Sequence, residues 1–374
     1  MTLKRLEISY FRNLEAVSLD LAPGLNFFYG PNGAGKTAIL EATYFLARAR
    51  SFRSAQPRSY IQHGAETLTV RGLVEDRAGG SQALALSKTL AGASLLRING
   101  VTERKMSKAA GLLPVQVMLP DVGQLVFGGP LERRRWLDWG VFHVEPRYLD
   151  SLRGFNRVLK QRNAHLKDSR LRGAPDLGND PWRDQFVARS LEITESRCRY
   201  LAALSPIFAE TLDAIAPDIR VRLSYFSGWP DNESLNKVLG DIASREVKLG
   251  MSMAGPHRAD LELKIGISSN HEAKASAELS RGQGKALASA LKIAQATRLS
   301  ALAEKSSLLL IDDVGAELDE LHNTRFFEQL KSARCQVLAS STRPPGEILR
   351  HFPSEDVKVF HVERGKINGE SDDR

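Results

Sequence analysis

The sequence predicts an α/β fold: a sheet with buried strands, one feeding a phosphate-binding loop and another ending in carboxylates, interrupted by a helical insertion. Three observations carry this. Gly30-Pro31-Asn32-Gly33-Ala34-Gly35-Lys36-Thr37 completes G-x-x-x-x-G-K-T between an apolar run, Leu25–Tyr29, and a helical pattern, Ala38–Ala49. A second apolar run, Leu308–Ile311, ends in Asp312-Asp313. Between them, from Pro130 to about Leu249, the pattern turns mainly helical.

Each element follows from its local pattern. Leu6–Tyr10 and Val17–Leu21 alternate, which reads as a hairpin. Leu25–Tyr29 reads as a buried strand, and Leu308–Ile311 as one buried on both faces. In the loop that follows, Gly30, Gly33 and Gly35 let the backbone turn several N–H groups toward one phosphate chain. The helix beginning near Gly35 adds its positive end. Lys36 is placed to reach β- and γ-phosphates, and the Thr37 hydroxyl to hold Mg²⁺. A basic stretch follows (Arg48, Arg50, Arg53, Arg58). Short strands around Thr67–Val74, Ala83–Leu90 and Leu95–Ile98, with a tight turn at Asn99-Gly100, make an antiparallel patch beside the main sheet. Val115–Leu119 returns as a buried strand.

In the helical insertion, Arg153, Arg157, Lys160 and Lys167 share one stripe, and Leu152, Phe155, Leu159 and Leu166 lie on another. The basic stripe therefore faces away from packing, as a solvated face or a nucleic-acid contact. Arg170–Asp180 is a loop, and Val221–Phe226 reads as an inserted strand. Leu261, Leu263, Ile265 and Ile267 alternate as the sheet-forming part resumes. Leu279-Ser280-Arg281-Gly282-Gln283 opens a helix running to Ala303, with Ser280 of the N-cap type. That makes a second helix N-terminus suited to an anion. Asp312 is expected to orient Mg²⁺, and Asp313 to sit near the water that attacks the γ-phosphate. Taken alone, the pair reads equally as a helix cap plus a solvated acid. Gln336–Ser340 and Val357–Val362 complete the sheet, and Gly369–Arg374 is a polar tail. The expected division is 1–129, an N-terminal lobe; 130–249, a helical arm; and 250–374, a C-terminal lobe.

At 374 residues the chain is long enough to bury a large core in two units. Its formal net charge is +8, and the charge is uneven. Residues 132–172 hold eleven Lys or Arg against five acids, a balance that favours a polyanion, nucleic acid above all. Cys198 and Cys335 are the two cysteines, too few for a disulfide framework or a metal set. No run approaches the ~20 apolar residues of a membrane span, and no secretory core follows Met1–Arg5. A cytoplasmic protein with no membrane partner is the expectation.

The order of phosphate loop, Ser280 segment and Asp312 strand resembles the ABC-type ATPases, and within them the SMC-like branch. Ile39-Leu40-Glu41-Ala42, Ser51-Phe52-Arg53, Arg133-Arg134-Arg135-Trp136-Leu137-Asp138 and Gly255-Pro256-His257-Arg258-Ala259-Asp260-Leu261 narrow the resemblance to the RecF family, from about Leu3 to Gly365. The resemblance implies an ATPase head of mixed sheet plus antiparallel patch with an inserted short helical arm. It implies ATP and Mg²⁺ as cofactors, with Gly30–Thr37 on the phosphates and Arg12 and Asn13 approaching from the first hairpin. Ser280, Arg281, Gly282 and Gln283 of one copy would reach the nucleotide of the other in an ATP-dependent homodimer, with Glu317, Leu318 and Asp319 as the crossing loop. It further implies binding to duplex DNA and to duplex/single-strand junctions, RecR and RecO as partners, aid to RecA loading, and a weak DNA-stimulated ATPase. Arg53 and the arm stripe are the candidate DNA contacts.

Two departures matter. ABC transporters usually carry Glu at the position of Asp313 and a switch His after the next strand; here Ser341-Thr342 follows instead. Both changes point to slow hydrolysis. For the glutamine that in such ATPases couples nucleotide to arm, Gln116 and Gln124 are candidates, and each reads equally as a surface residue. The competing readings are a transporter ATPase subunit, for which the stretch from Thr37 to Ser280 is too long, and a small-molecule kinase, which leaves Leu279–Gln283 without work. In a non-enzymatic reading, ATP serves as structural glue.

Overall fold

The structure, a computed structural model, describes residues 1–76, 78–171, 180–268, 271–302, 306–314 and 320–369. The chain forms two compact units. One comprises 1–122, 214–216 and 289–374, and the other 123–213 and 217–288. Residues 250–288, expected with the C-terminal lobe, therefore pack with the helical segment instead.

The first unit is built on a mixed six-stranded sheet. Its order is Lys366–Gly369, Val357–Glu363, Leu25–Tyr29, Gln336–Ser341, Leu308–Ile311, Val115–Met118. Five strands run parallel, and only the Lys366–Gly369 edge is antiparallel. Leu308–Ile311 and Gln336–Ser341 are buried at every position, as parallel strands covered on both faces must be. Gln336–Ser341 lies between the loop-feeding strand and the Asp312 strand, so their carboxyl ends share one edge. That edge is where open α/β sheets gather ligands.

A second six-stranded sheet is wholly antiparallel and begins with the expected hairpin, Thr2–Phe11 with Leu14–Asp20. Asn99 and Gly100 both take positive φ (51° and 79°) at its last tight turn. Helix Lys36–Arg48 packs between the two sheets, burying Ile39, Phe45 and Leu46 among Leu3, Leu6, Leu68, Val70 and Leu310. The approach is close at Gly72, where a Cβ would sit 2.6 Å from Leu46. Buried Gln336 ties the sheets together: its amide accepts from Leu3 N (2.8 Å) and donates to the Leu3 and Ala22 carbonyls (2.9 and 2.7 Å). The first hairpin is thereby fixed relative to the phosphate loop.

The second unit holds helices Pro130–Val144, Tyr148–Leu171 and most of Arg183–Ile215, and a three-stranded antiparallel sheet of Val221–Phe226, Asp260–Ser268 and His271–Lys274. On helix Tyr148–Leu171 the basic stripe is exposed as expected. The packed face differs: it carries Phe155, Val158, Arg162 and Leu166, whereas Leu152 and Leu159 are half-buried. Arg162 is 2% exposed and neutralised by Asp180 (2.7 Å) and Glu246 (2.5 Å). It therefore does not contribute to the basic surface that the composition of 132–172 suggested.

The stretches most specific to the resemblance, Arg133–Asp138 and Gly255–Leu261, meet in this unit. Arg133 pairs with Asp260 (2.8 and 2.9 Å), and Arg134 donates to Ala259 O (2.6 Å). Arg197 bonds Asp138 (2.9 and 3.1 Å), Tyr225 Oη (3.2 Å) and Pro256 O (3.0 Å). These motifs hold the unit together.

Candidate functional site

The phosphate loop joins strand Leu25–Tyr29 to helix Lys36–Arg48 and has the backbone its glycines predict. Gly30 lies so close to the last parallel strand that a Cβ would stand 2.1 Å from Val362 O. Gly35, at φ 120°, precedes the helix, whose first turn has no side-chain cap and no acid. Its leading N–H groups are left for an anion.

Lys36 is 8% exposed and donates to the carbonyls of Gly30 (2.7 Å) and Pro31 (2.8 Å), so its ammonium closes the loop on itself. Burial lowers its pKa, partly opposed by Asp313 and then Asp312. Thr37 Oγ1 donates to Asp312 Oδ1 (2.8 Å) across the strand edge. Ser340, at the end of the intervening strand, donates to the same oxygen (2.7 Å) and accepts from Asp313 N–H (3.0 Å). Asp313 takes a left-handed backbone (φ 58°), which a short polar side chain tolerates, and its side chain is exposed.

Asn13 donates from Nδ2 to the Gly33 and Ala34 carbonyls (both 3.2 Å), bracing the loop from the first hairpin. Arg12 is occupied elsewhere. Its guanidinium forms a bidentate pair with buried Glu41 and donates to Ser59 O (3.1 Å). The fold thus brings Asn13, Gly30–Thr37, Asp312 and Asp313 together. It adds Ser340 and Glu41, to which the sequence analysis gave no role at the site. Ser340 had a signal in its place at the end of a buried strand, and Glu41 in the Ile39–Ala42 stretch that carried the resemblance.

The Ser280 segment lies in the second unit, at the start of helix Arg281–Ala301. Ser280 Oγ accepts from Gln283 N–H (3.3 Å), and Gln283 Oε1 accepts from Ser280 N–H (3.0 Å), a reciprocal capping box. Ser280, Arg281, Gly282 and Gln283 are all exposed, and nothing lies within 4 Å of a Cβ built on Gly282. The two neighbouring glycines therefore differ in kind: Gly284 is required internally, since a Cβ there would strike Phe127 at 2.2 Å, and Gly282 is not.

Glu317, Leu318 and Asp319 lie outside the described residues. Arg153, Arg157, Lys160 and Lys167 are exposed on helix Tyr148–Leu171, and Arg53 is exposed after the loop's helix. Gln116 is buried in the mixed sheet and donates to Lys292 O (3.4 Å), whereas Gln124 is exposed at the start of the second unit. A concave face unforeseen in the sequence opens on the antiparallel sheet, with a cavity of about 350 Å³ lined by Arg5, Glu7, Arg71, Leu73, Ala83 and Arg97 among others. No helix among the described residues is long and apolar enough to cross a membrane.

Comparisons with known proteins point to one family. A family model described as RecF/RecN/SMC N terminal domain matches residues 2–368. The chain is 38% identical over 376 residues to the DNA replication and repair protein RecF of Pseudomonas entomophila (strain L48), covering 100% of both chains. It is equally similar to that of Pseudomonas putida (strain W619). A solved structure of the recombination mediator protein RecF with ATP in the RecFOR pathway superposes with a TM-score of 0.82 at 23% identity, covering 99% of this chain and 98% of that one. An Smc head bound to the C-winged helix domain of ScpA does so at 0.63 and 16%, covering 100% and 98%. The transporter reading falls here, since these relatives act in DNA replication and repair. With its phosphate loop, its carboxylate strand and full-length similarity to these relatives, the chain belongs to the RecF/RecN/SMC family, and within it to the RecF proteins of DNA replication and repair.

Proposed function

We propose that this RecF-family ATPase binds ATP in the Gly30–Thr37 cradle, closes into a homodimer on it, and holds DNA in that state until slow hydrolysis releases it. One observation carries the reading. Lys36, Thr37, Asp312 and Ser340 converge at the carboxyl edge of the parallel strands, beside a helix N-terminus that nothing caps. The donors suit Mg²⁺, which takes hard oxygens and leans on nucleotide phosphates for the rest of its shell. Thr37 and Asp312 would hold it, and when bound it would neutralise developing charge on the phosphates.

The protein's own groups account for the remainder. The Lys36 ammonium exchanges loop carbonyls for phosphate oxygens at little rearrangement cost. Ser340 fixes Asp312 and, through the Asp313 N–H, aims the Asp313 carboxylate as base toward the attacking water. Asn13 keeps the loop from opening. The lid comes from the partner copy. Ser280 Oγ is already an acceptor in its capping box, so its proton is free to be donated to a γ-phosphate oxygen. The empty space over Gly282 admits that phosphate. Such a contact is isologous and closes a two-fold dimer. Glu317–Asp319 would cross the seam. RecR and RecO are the partners this reading names, consistent with the RecFOR pathway of the structural relative. The cytoplasm is its compartment.

The test is sedimentation with a non-hydrolysable ATP analogue. The parent dimerises; Ser280→Arg binds the analogue as the parent does and stays monomeric, because bulk and charge fill the shared phosphate site. A Ser280→Arg protein that dimerises normally overturns the shared-site reading.

A further inference from the structure

Glu41 is fully buried in helix Lys36–Arg48, one turn beyond the phosphate-binding residues. Its carboxylate takes three charge-assisted or hydroxyl hydrogen bonds. Arg12 Nη2 donates to Oε1 (2.8 Å), Arg12 Nε donates to Oε2, and Ser51 Oγ donates to Oε1. Neither partner is idle. Arg12 adjoins Asn13, which grips the phosphate loop, and its Nη1 also reaches Ser59 O. The Ser51 hydroxyl accepts from the N–H groups of Arg53 and Ser54 (both 2.9 Å) and so shapes the turn that presents Arg53. Main-chain bonds complete the linkage, Arg12 N to Tyr60 O and Gln62 N to Tyr10 O (both 2.9 Å). Arg12 and Tyr10 both hold left-handed backbones (φ 52° and 58°) at the hairpin tip. One carboxylate thus connects the phosphate loop, through Arg12 and Asn13, with residues 51–60 and their exposed Arg53 and Arg58.

We infer that Glu41 is a positioning residue that couples ATP in the loop to the grip of residues 51–60 on DNA. The inference rests on the function proposed above. Buried Glu41 keeps Arg12 and Ser51 together, because a buried carboxylate cannot lose its cation. When phosphate orders the loop that Asn13 braces, the adjoining Arg12 is fixed with it, and through Glu41 so is Ser51. The turn at Ser51–Ser54 is then fixed, with Arg53 presented to a polyanion. Coupling of this kind is a ratio of affinities, measurable without reference to the absolute affinity for either ligand.

The experiment measures binding of a fluorescent duplex DNA by anisotropy, with and without a non-hydrolysable ATP analogue, on the full chain. Analogue affinity comes from calorimetry and dimer formation from sedimentation. Ser51→Ala should bind the analogue within about threefold of the parent and dimerise normally, yet lose about tenfold of the gain in DNA affinity that the analogue confers. Glu41→Gln should lose at least as much of the gain. If Ser51→Ala keeps the parent's gain, the inference is wrong. It is equally wrong if both variants lose analogue binding, dimerisation and DNA binding in the same proportion, which marks a purely structural role. A parent that shows no gain at all refutes the proposed function and this inference with it.

Discussion

At the residue scale, two side chains show how surroundings decide chemistry. Asp313 is turned outward by a left-handed backbone and held by Ser340 through its own N–H, which leaves the carboxylate exposed. Asp313→Asn keeps the geometry and removes the proposed base. ATP turnover should fall roughly 10²–10⁴-fold with analogue affinity little changed; phosphate release that continues at the parent's rate would remove Asp313 from the mechanism. His257 shows the opposite case, a titratable group kept silent. Its Nε2 faces Ser252 O at 3.1 Å, while Nδ1 is buried without a partner, so the neutral ring with its proton on Nε2 fits the site. Burial first, then Arg258, Arg134 and Arg162, push its pKa down to about 4 from 6.5, against the pull of the Ser252 carbonyl. A depressed folded-state pKa gives stability that is present above 6.5 and lost as pH falls toward 4. That loss should be on the order of 2–3 kcal/mol. Melting curves of the parent and His257→Gln between pH 7 and pH 4 should converge as the pH drops. Parallel curves would show that His257 does not contribute.

At the element scale, the two helix starts that matter are built differently. Helix Lys36–Arg48 begins at a glycine with no side-chain cap, so its N–H groups await a ligand. Helix Arg281–Ala301 begins with a closed capping box, so Ser280 is fixed before any ligand arrives. The long helix Arg183–Ile215 is anchored by Arg197, 2% exposed, which reaches helix Pro130–Val144 through Asp138, strand Val221–Phe226 through Tyr225, and the Pro256 carbonyl. The Tyr148 hydroxyl shares Asp138, and burial raises its pKa so that it stays a donor. Arg197→Ala strands a carboxylate and two phenols away from their cation. It should cost about 3–5 kcal/mol in denaturant unfolding, and a loss below ~1 kcal/mol would mean that solvent reaches the pair.

At the scale of the whole molecule, the question is where DNA rests. The net charge of +8 does not decide it, because several of the cations are spent internally: Arg162, Arg197, Arg133 and Arg12 all face buried or half-buried acids. Arg157, Lys160 and Lys167 remain exposed on helix Tyr148–Leu171, with Arg153 loosely paired to Asp150 (3.5 Å). Changing Arg153, Arg157 and Lys160 to Gln should weaken DNA binding alike for all sequences. It should also reduce the slope of log affinity against log salt by roughly 0.9 for each phosphate that the protein no longer neutralises. An unchanged slope would redirect attention to the basic concavity of the antiparallel sheet around Arg5, Arg71 and Arg97.

The sequence alone determined the elements and the nucleotide chemistry, because both are local. A strand buried on two faces reads as an apolar run, and Leu25–Tyr29 and Leu308–Ile311 have the limits those runs suggested; the inserted strand Val221–Phe226 also keeps its expected limits, though none of its positions is fully buried. A phosphate cradle needs eight consecutive residues, so it is legible at sight. Tertiary structure decided the pairings over long separations. It set Thr37 and Ser340 on one oxygen of Asp312, buried Arg162 in the arm's packed face, and moved 250–288 into the second unit. The reason is physical: a charged side chain looks the same in a sequence whether it meets water or a buried carboxylate, and only the chain's return across hundreds of residues supplies the partner.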